Sequence, residues 1–368
     1  MSPLALVHER FTDFAGSEMV VQQFSVIWPE ASIHAPIVDP SVLPPGMRVE
    51  ATLLNRLYRH GGYAYLMPLL PTAMRKMRLP AVDAVLVSHH AFANQVVWAT
   101  DAPVVSYVHS PARWMWDPAM RAGESGGVVG EGALAVFSAL QRHRDFAAAQ
   151  MVRSLIANSN AVAERISRWW RRRSSVIFPP VDTSFYTPDP AIPREDFVLV
   201  AGRLVPYKRP EVAIEAAERA GIPVVVAGDG RARRACEKVA GAGTTFLGRV
   251  TDEQMRDLYR RCRCLAMPGE EDFGIITVEA QACGAPVVAL GAGGALDTVV
   301  PGVTGTLLVN QADRAEQIAG FAAAFQGIDP TQFDPGVLRS HAESFSRDVF
   351  RERIRQHVRA VLADRDVA

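Results

Sequence analysis

The chain has 368 residues, 49% of them apolar and 21% charged, an ordinary globular composition whose length suits two hydrophobic cores better than one. Lys plus Arg and Asp plus Glu number 39 each, so the net charge offers no general attraction to nucleic acid. No apolar run reaches the roughly 18–20 residues of a membrane-spanning helix. The balance is uneven along the chain: residues 1–180 hold 17 basic and 13 acidic side chains, leaving 22 and 26 beyond them, which puts the basic surface on the front half.

In chain order, short Val- and Ile-rich runs predict strands at Leu4–Val7, Ala84–Ser88, Val104–Val108, Ser154–Asn158 and Val176–Phe178. The series restarts at Phe197–Ala201, Val224–Ala227, Thr245–Leu247, Cys264–Met267, Pro286–Leu290 and Gly305–Val309. Continuous rather than alternating apolarity indicates strands covered on both faces, as in a parallel sheet, and the helical stretches between them make the class α/β. Phe178-Pro179-Pro180-Val181-Asp182, followed by Pro188, Pro190 and Pro193, resists helix and central strand and reads as a connector between two doubly wound domains. A last helix is expected over about Ser346–Ala363, with Phe350, Ile354, Val358 and Val361 at helical spacing, and it could pack on either domain.

Nothing at the start resembles a leader peptide, because Leu4-Ala5-Leu6-Val7 is short and runs into His8-Glu9-Arg10. Cys236, Cys262, Cys264 and Cys283 are expected as buried free thiols in a reducing cytoplasm. The expected location is therefore cytoplasmic, with the inner face of the cell membrane as the variant. Two stretches raise questions of surface chemistry. Asn55–Leu79 mixes Leu, Tyr and Met with Arg56, Arg59, His60, Arg75, Lys76 and Arg78, and reads either as a surface helical region with snorkelling cations or as a patch for an anionic membrane. Trp169-Trp170-Arg171-Arg172-Arg173 invites the same pair of readings, and nucleic acid is not expected without further basic and aromatic interleaving.

The chemistry-bearing residues concentrate in the back half. After the strand Cys264–Met267 come a Pro-Gly turn, Glu270-Glu271-Asp272, Phe273-Gly274-Ile275-Ile276 and a helix that Cys283-Gly284 and Pro286 terminate. The helix start near Gly274–Thr277 offers unpaired amides and a partial positive charge, an anion site that suits a diphosphate. Glu271 lies before this helix and Glu279 within its first turns. At ~1.5 Å per residue they are too differently placed for a glycosidase carboxylate pair, and they suit a grip on sugar and ribose hydroxyls. Gly202-Arg203-x4-Lys208 follows another strand, so two cations stand at the carboxyl edge of the sheet, where open α/β sheets bind ligands and where they can clamp a diphosphate.

Taken together, Glu271-x7-Glu279, Gly202-Arg203-x4-Lys208, Gly291-Ala292-Gly293-Gly294-Ala295-Leu296-Asp297 and Asn158-Ser159…Phe178-Pro179-Pro180-Val181-Asp182 resemble the GT4 family of glycosyltransferases over almost the full length. The front loop Val7-His8…Ala15-Gly16-Ser17-Glu18 is similar to the family's glycine loop. Ser88-His89-His90-Ala91-Phe92 and Tyr107-Val108-His109…Trp116-Asp117 look like a bacterial mannosyltransferase branch used for polysaccharide assembly. The resemblance implies the GT-B fold, with two Rossmann-like domains facing each other across a cleft. Residues 1–180, completed by a C-terminal helix over 346–368, would bind the acceptor, and residues 181–345 the nucleotide sugar.

It also implies roles residue by residue. Arg203 and Lys208 would bind the donor diphosphate, and Glu271 the sugar hydroxyls, beside the amides of Phe273, Gly274 and Ile275. Glu279 would take the ribose, while Arg249 and Val250 would meet the base. From the first domain, Gly16 would approach the phosphate and His109 the reacting sugar. The front loop departs from the family by reading Ala15-Gly16 where two glycines are common, and alanine resists positive φ.

The implied reaction is a retaining hexosyl transfer, with leaving-group charge carried by Arg203, Lys208 and the helix start and no metal or other cofactor required. The one Asp-x-Asp, Asp364-Arg365-Asp366, sits in the tail and makes a poor metal site. The branch likeness favours GDP-mannose as donor, with a UDP-hexose next, and a saccharide or lipid-linked saccharide as acceptor. Rival classes are a sugar-nucleotide epimerase or phosphorylase of the same fold and a non-catalytic sugar-nucleotide binder. A nicotinamide oxidoreductase is a further rival, but Gly228-Asp229-Gly230 lacks the third glycine of its fingerprint.

Overall fold

The computed structural model describes residues 3–59, 62–121 and 128–363. His60 and Asp364-Arg365-Asp366 lie outside the described residues. The chain divides into two units, Met1–Pro180 with Phe350–Ala368, and Val181–Val349.

The first unit is built on a parallel sheet of β1 (Leu4–His8), β2 (Ser32–Ala35), β3 (Glu50–Ala51), β4 (Ala84–His89), β5 (Val104–Val108), β6 (Ser154–Ala157) and β7 (Ser175–Val176). Their order is β3-β2-β1-β4-β5-β6-β7. Every residue of β1, β4 and β5 is buried, so both faces are covered and the unbroken apolar runs have their cause. On one face the helix Gly16–Ile27 packs Val20, Val21 and Phe24 with Phe350, Ile354 and Val358 of the final helix, Arg347–Ala363. The rings of Phe24 and Phe350 stack at 5.9 Å, and Tyr107 meets both edge-on.

On the other face the core is built around Trp170, Met115 and Met74. Asp145 is buried there and accepts the indole N–H groups of Trp116 at 2.7 Å and Trp170 at 2.8 Å, both on Oδ2. Trp169 stacks on Trp116, and Arg172 donates to the carbonyls of Ala149, Gln150 and Val152. The Trp-Trp-Arg-Arg-Arg run is therefore committed in large part to the fold rather than to a ligand.

The second unit repeats the plan with β8 (Val198–Ala201), β9 (Val224–Ala227), β10 (Thr244–Gly248), β11 (Cys264–Met267), β12 (Val287–Leu290) and β13 (Gly305–Leu308), all parallel in the order β10-β9-β8-β11-β12-β13. Cys236, Cys262, Cys264 and Cys283 are all buried free thiols. Asn55–Leu79 is not one helix. It folds as 3-10 turns at Leu53–Leu57 and Ala64–Leu69 and a helix at Leu70–Arg75, with Pro68 and Pro71 withholding two amides where the last two meet. Leu66, Leu70 and Met74 are buried, while Leu53, Leu57, Tyr65 and Leu69 are exposed beside Arg56, Arg59, Lys76 and Arg78.

Candidate active site

In each sheet the strand order reverses at one place, between β1 and β4 and between β8 and β11. Such switch points leave a crevice beyond the carboxyl ends of the strands, because the following loops diverge to opposite faces. Most of the sequence-predicted site residues lie at one or the other of them.

In the second unit, the loops after β8 and β11 border a hollow, open to solvent, lined by Arg203, Lys208, Met267, Pro268, Gly269 and Glu271, among others. Lys208 Nζ stands 2.7 Å from Glu271 Oε1, with the two side chains 20% and 16% exposed. Arg203 is exposed and forms no ion pair with another described residue. The loop carrying Glu271 is braced by the one after β12. The Gly294 amide donates to the Glu271 carbonyl at 2.9 Å, and a Cβ on Gly294 would lie 2.2 Å from Phe273 Cα, so only glycine fits there.

Gly274 then caps the helix Ile275–Ala282 at φ 83°, and the hydroxyl of Thr277 donates to its carbonyl at 2.6 Å. One turn on, Glu279 Oε2 accepts the phenolic hydroxyl of Tyr259 at 3.0 Å. Burial pushes the Glu279 carboxyl up to about 7, against the opposing effect of that hydrogen bond. Arg249 and Val250 lie elsewhere, at the end of β10, two strands from β8. Gly228 and Gly230, which begin a dinucleotide-like pattern, serve packing: their missing side chains leave room for the carbonyls of Gly202 and Leu204.

A carboxylate that grips ribose hydroxyls does so best when ionised. We expect the apparent affinity for a nucleotide donor to weaken as pH falls from about 8 to 6, through the Glu279 range. Glu279→Gln should flatten that dependence, and isothermal titration across the range checks it. An unaltered slope in the variant would assign the pH dependence to another group.

In the first unit, β1, β4 and β5 end side by side at His8, His89 and Val108, followed by His109. His109 Nε2 lies 2.8 Å from Ser88 Oγ, which is 3.0 Å from His8 Nδ1. His8 Nε2 is 3.0 Å from Glu18 Oε1, and Glu18 Oε2 accepts the Ala15 amide at 3.0 Å. His90 stacks on His109 with centroids 4.5 Å apart and planes at 13°. Burial, and next the charge of His8, lowers His109 to about 3 and leaves it neutral at ordinary pH. For Glu18 burial acts upward, yet the His8 hydrogen bond and charge prevail and hold the carboxyl at about 2.

Gly16 opens the helix beside this chain, and Ala15 sits at φ −135°. That backbone is extended and open to any residue, so the departure from a double glycine costs the loop nothing. Glu9 accepts the amides of Phe92 and Ala93 at 2.7 and 3.1 Å, which pins the loop after β4. The sequence reading named His109 and Gly16 but missed the roles of Glu18, His8 and Ser88. The available signal was polar residues closing three strands that become neighbours.

Two doubly wound units, each on a parallel sheet, match the GT-B glycosyltransferase fold of solved structures. The chain aligns with sucrose-phosphate synthase from Thermosynechococcus elongatus at TM-score 0.74 and 19% identity, covering 99% of this chain and 100% of that one. It aligns with Anabaena HepE, solved in complex with UDP and glucose, at TM-score 0.73 and 18% identity, covering 97% and 99%. Residues 185–325 match the family described as Glycosyl transferases group 1. Among curated proteins, the D-inositol 3-phosphate glycosyltransferase of Mycolicibacterium paratuberculosis is 33% identical over 202 residues, 48% of this chain and 45% of that protein. The corresponding protein of Mycolicibacterium smegmatis is 34% identical over 178 residues, 42% and 41%. The chain thus spans less than half the length of these curated relatives.

Proposed function

We propose that this chain is a retaining glycosyltransferase that moves a hexose from a nucleotide sugar to an acceptor hydroxyl. The observation that carries the proposal is the hollow at the β8/β11 switch point, where Arg203, Lys208 and Glu271 converge within the segment matching glycosyl transferases group 1. In this reading Arg203 and Lys208 neutralise the charge that develops on the departing diphosphate, helped by the amides at the start of the helix Ile275–Ala282. That assignment leaves the charge work to the protein's own cations, without a metal. Glu271 holds the sugar hydroxyls, Glu279 the ribose, and Arg249 with Val250 the base. Gly16 approaches the phosphate and His109 the sugar.

GDP-mannose is the donor we propose, on the resemblance of the Tyr107–Asp117 and Ser88–Phe92 stretches to mannosyltransferases. A UDP-hexose is the second reading, favoured by the UDP and glucose bound in a structure of the same fold. For the acceptor we propose a saccharide or lipid-linked saccharide, met in the cytoplasm at the membrane face. The exposed Leu53, Leu57, Tyr65 and Leu69 among Arg56, Arg59, Lys76 and Arg78 would provide peripheral contact with anionic lipid. An inositol phosphate is the variant that the curated relatives' names suggest.

Thermal melting with GDP-mannose, GDP, UDP-glucose, UDP-N-acetylglucosamine and UDP tests the donor. A ligand at 100 times its Kd stabilises by about 2.7 kcal/mol, enough to resolve. Stabilisation by GDP-mannose and GDP is expected. A response to UDP compounds alone rejects the mannosyl assignment, and no response to any of them rejects the donor site.

A further inference from the structure

The polar chain in the first unit has a direction that its end groups determine. Glu18 is a carboxylate, able only to accept, and its Oε2 is already taken by the Ala15 amide. When His8 holds a single proton, the carboxylate facing it at Oε1 draws that proton to Nε2 and leaves Nδ1 as an acceptor. Ser88 then donates its hydroxyl proton to His8 Nδ1, and its oxygen is free to accept from His109 Nε2. His109 ends the sequence with its proton on Nε2 and a lone pair on Nδ1, an atom that forms no hydrogen bond with another described residue.

We propose that Glu18, His8 and Ser88 are positioning residues that fix His109 as the Nε2–H tautomer, so that its Nδ1 presents an acceptor to a sugar hydroxyl. The inference rests on the reading of His109 as a sugar-facing group and supplies what that reading lacks, namely which atom faces the sugar and why. Stacking on His90 and the edge of Tyr107, 5.3 Å away, holds the ring plane, so the direction of Nδ1 is fixed along with its state. A hydroxyl of a hexose can serve as the donor. A ligand offering only an acceptor at that point, such as a carbonyl oxygen, would be turned away. The same chain ends on the amide of Ala15, next to Gly16, so the loop assigned to the phosphate and the group assigned to the sugar share one hydrogen-bonded frame.

Glu18→Gln gives the test a sign. The Ala15 amide still needs an acceptor, so the new side chain must turn its carbonyl toward Ala15 and its NH2 toward His8 Nε2. His8 is then driven to the Nδ1–H form, Ser88 must accept from it and donate to His109 Nε2, and His109 becomes Nδ1–H. Nitrogen-15 NMR of histidine-labelled protein at about pH 8, above the ordinary range of imidazole titration, distinguishes the two tautomers. His109→Asn assigns the signals. The expected result is Nε2–H in the wild type and Nδ1–H in Glu18→Gln, with no such reversal when Glu18→Gln is made in a Ser88→Ala background. An unchanged His109 tautomer in folded Glu18→Gln overturns the proposal. If that variant does not fold, Ser88→Ala alone decides: a mixture of tautomers supports the chain, and a single wild-type-like Nε2–H form refutes it. These readouts need no turnover. A His109→Ala variant that keeps full activity would instead reject the sugar-facing role while leaving the tautomer result standing.

Discussion

Lys208→Ala is expected to lower turnover by about 10²–10³-fold, the usual consequence of removing one preorganised group from developing charge. Its ammonium lies in the hollow beside Glu271, 2.7 Å from the carboxylate. On the proposed assignment, removing it takes one positive charge from the donor diphosphate, and it leaves Glu271 without its partner in a half-buried setting. The loss should fall mainly on kcat, because the charge it meets grows as the sugar departs. Stability should fall as well, because removing one partner of a pair whose side chains are only 20% and 16% exposed leaves a largely buried carboxylate uncompensated, so melting is measured beside turnover. Lys238→Ala, an exposed position on the helix Arg233–Val239, serves as the control and should retain wild-type rates. Steady-state kinetics with the donor found by thermal melting provide the measurement. Turnover within about threefold of wild type would remove Lys208 from the mechanism.

Asp145→Ala is expected to destabilise the first unit by about 1–4 kcal/mol, because the buried indole N–H of Trp170 loses its acceptor at about 1–3 kcal/mol and the partly buried one of Trp116 loses its own at a smaller cost. Both Trp116 and Trp170 depend on that one oxygen. Asp145→Asn keeps an acceptor and should separate the loss of hydrogen bonds from the effect of charge. Burial raises the Asp145 carboxyl to about 7 from an ordinary 3.8, with the two indole hydrogen bonds opposing the shift. Below pH 3.8 folded and unfolded chains both hold the proton. Between 3.8 and about 7 the unfolded chain releases it and the folded one retains it, so stability falls as pH rises through that window and is level above it. Three pH units correspond to roughly 4 kcal/mol as an upper figure. The stability of Asp145→Asn relative to wild type should therefore grow from pH 4 to pH 7 and then plateau. All six tryptophans belong to the first unit, so urea unfolding followed by their fluorescence reports on it alone. A difference independent of pH would show that Asp145 is ionised in the folded chain.

The part of the site that is contiguous in sequence was readable there. Glu271, Gly274 and Glu279 lie along one loop and helix, and Arg203 with Lys208 along another, so strand ends and a helix start were enough to bring them to one edge. Most strands were readable as well, because burial on both faces makes a run such as Val85-Leu86-Val87 apolar without interruption. Ser32–Ala35 and Glu50–Ala51 were not: β3 is two residues long and exposed, and β2 carries Ser32 and His34. The chain from Glu18 to His109 escaped for a different reason. It joins residues 10, 80 and 21 positions apart, and only the strand order β1-β4-β5 makes them neighbours. Local pattern fixes where a strand ends but not which strand end stands beside it.

The four thiols, all buried and all within Val181–Val349, have a practical consequence. A thiol-specific reagent reaches them only when the second unit opens, whereas tryptophan emission changes only when the first does. The unmodified protein thus carries two separate reporters, and the order in which its halves unfold can be read in one sample without a label.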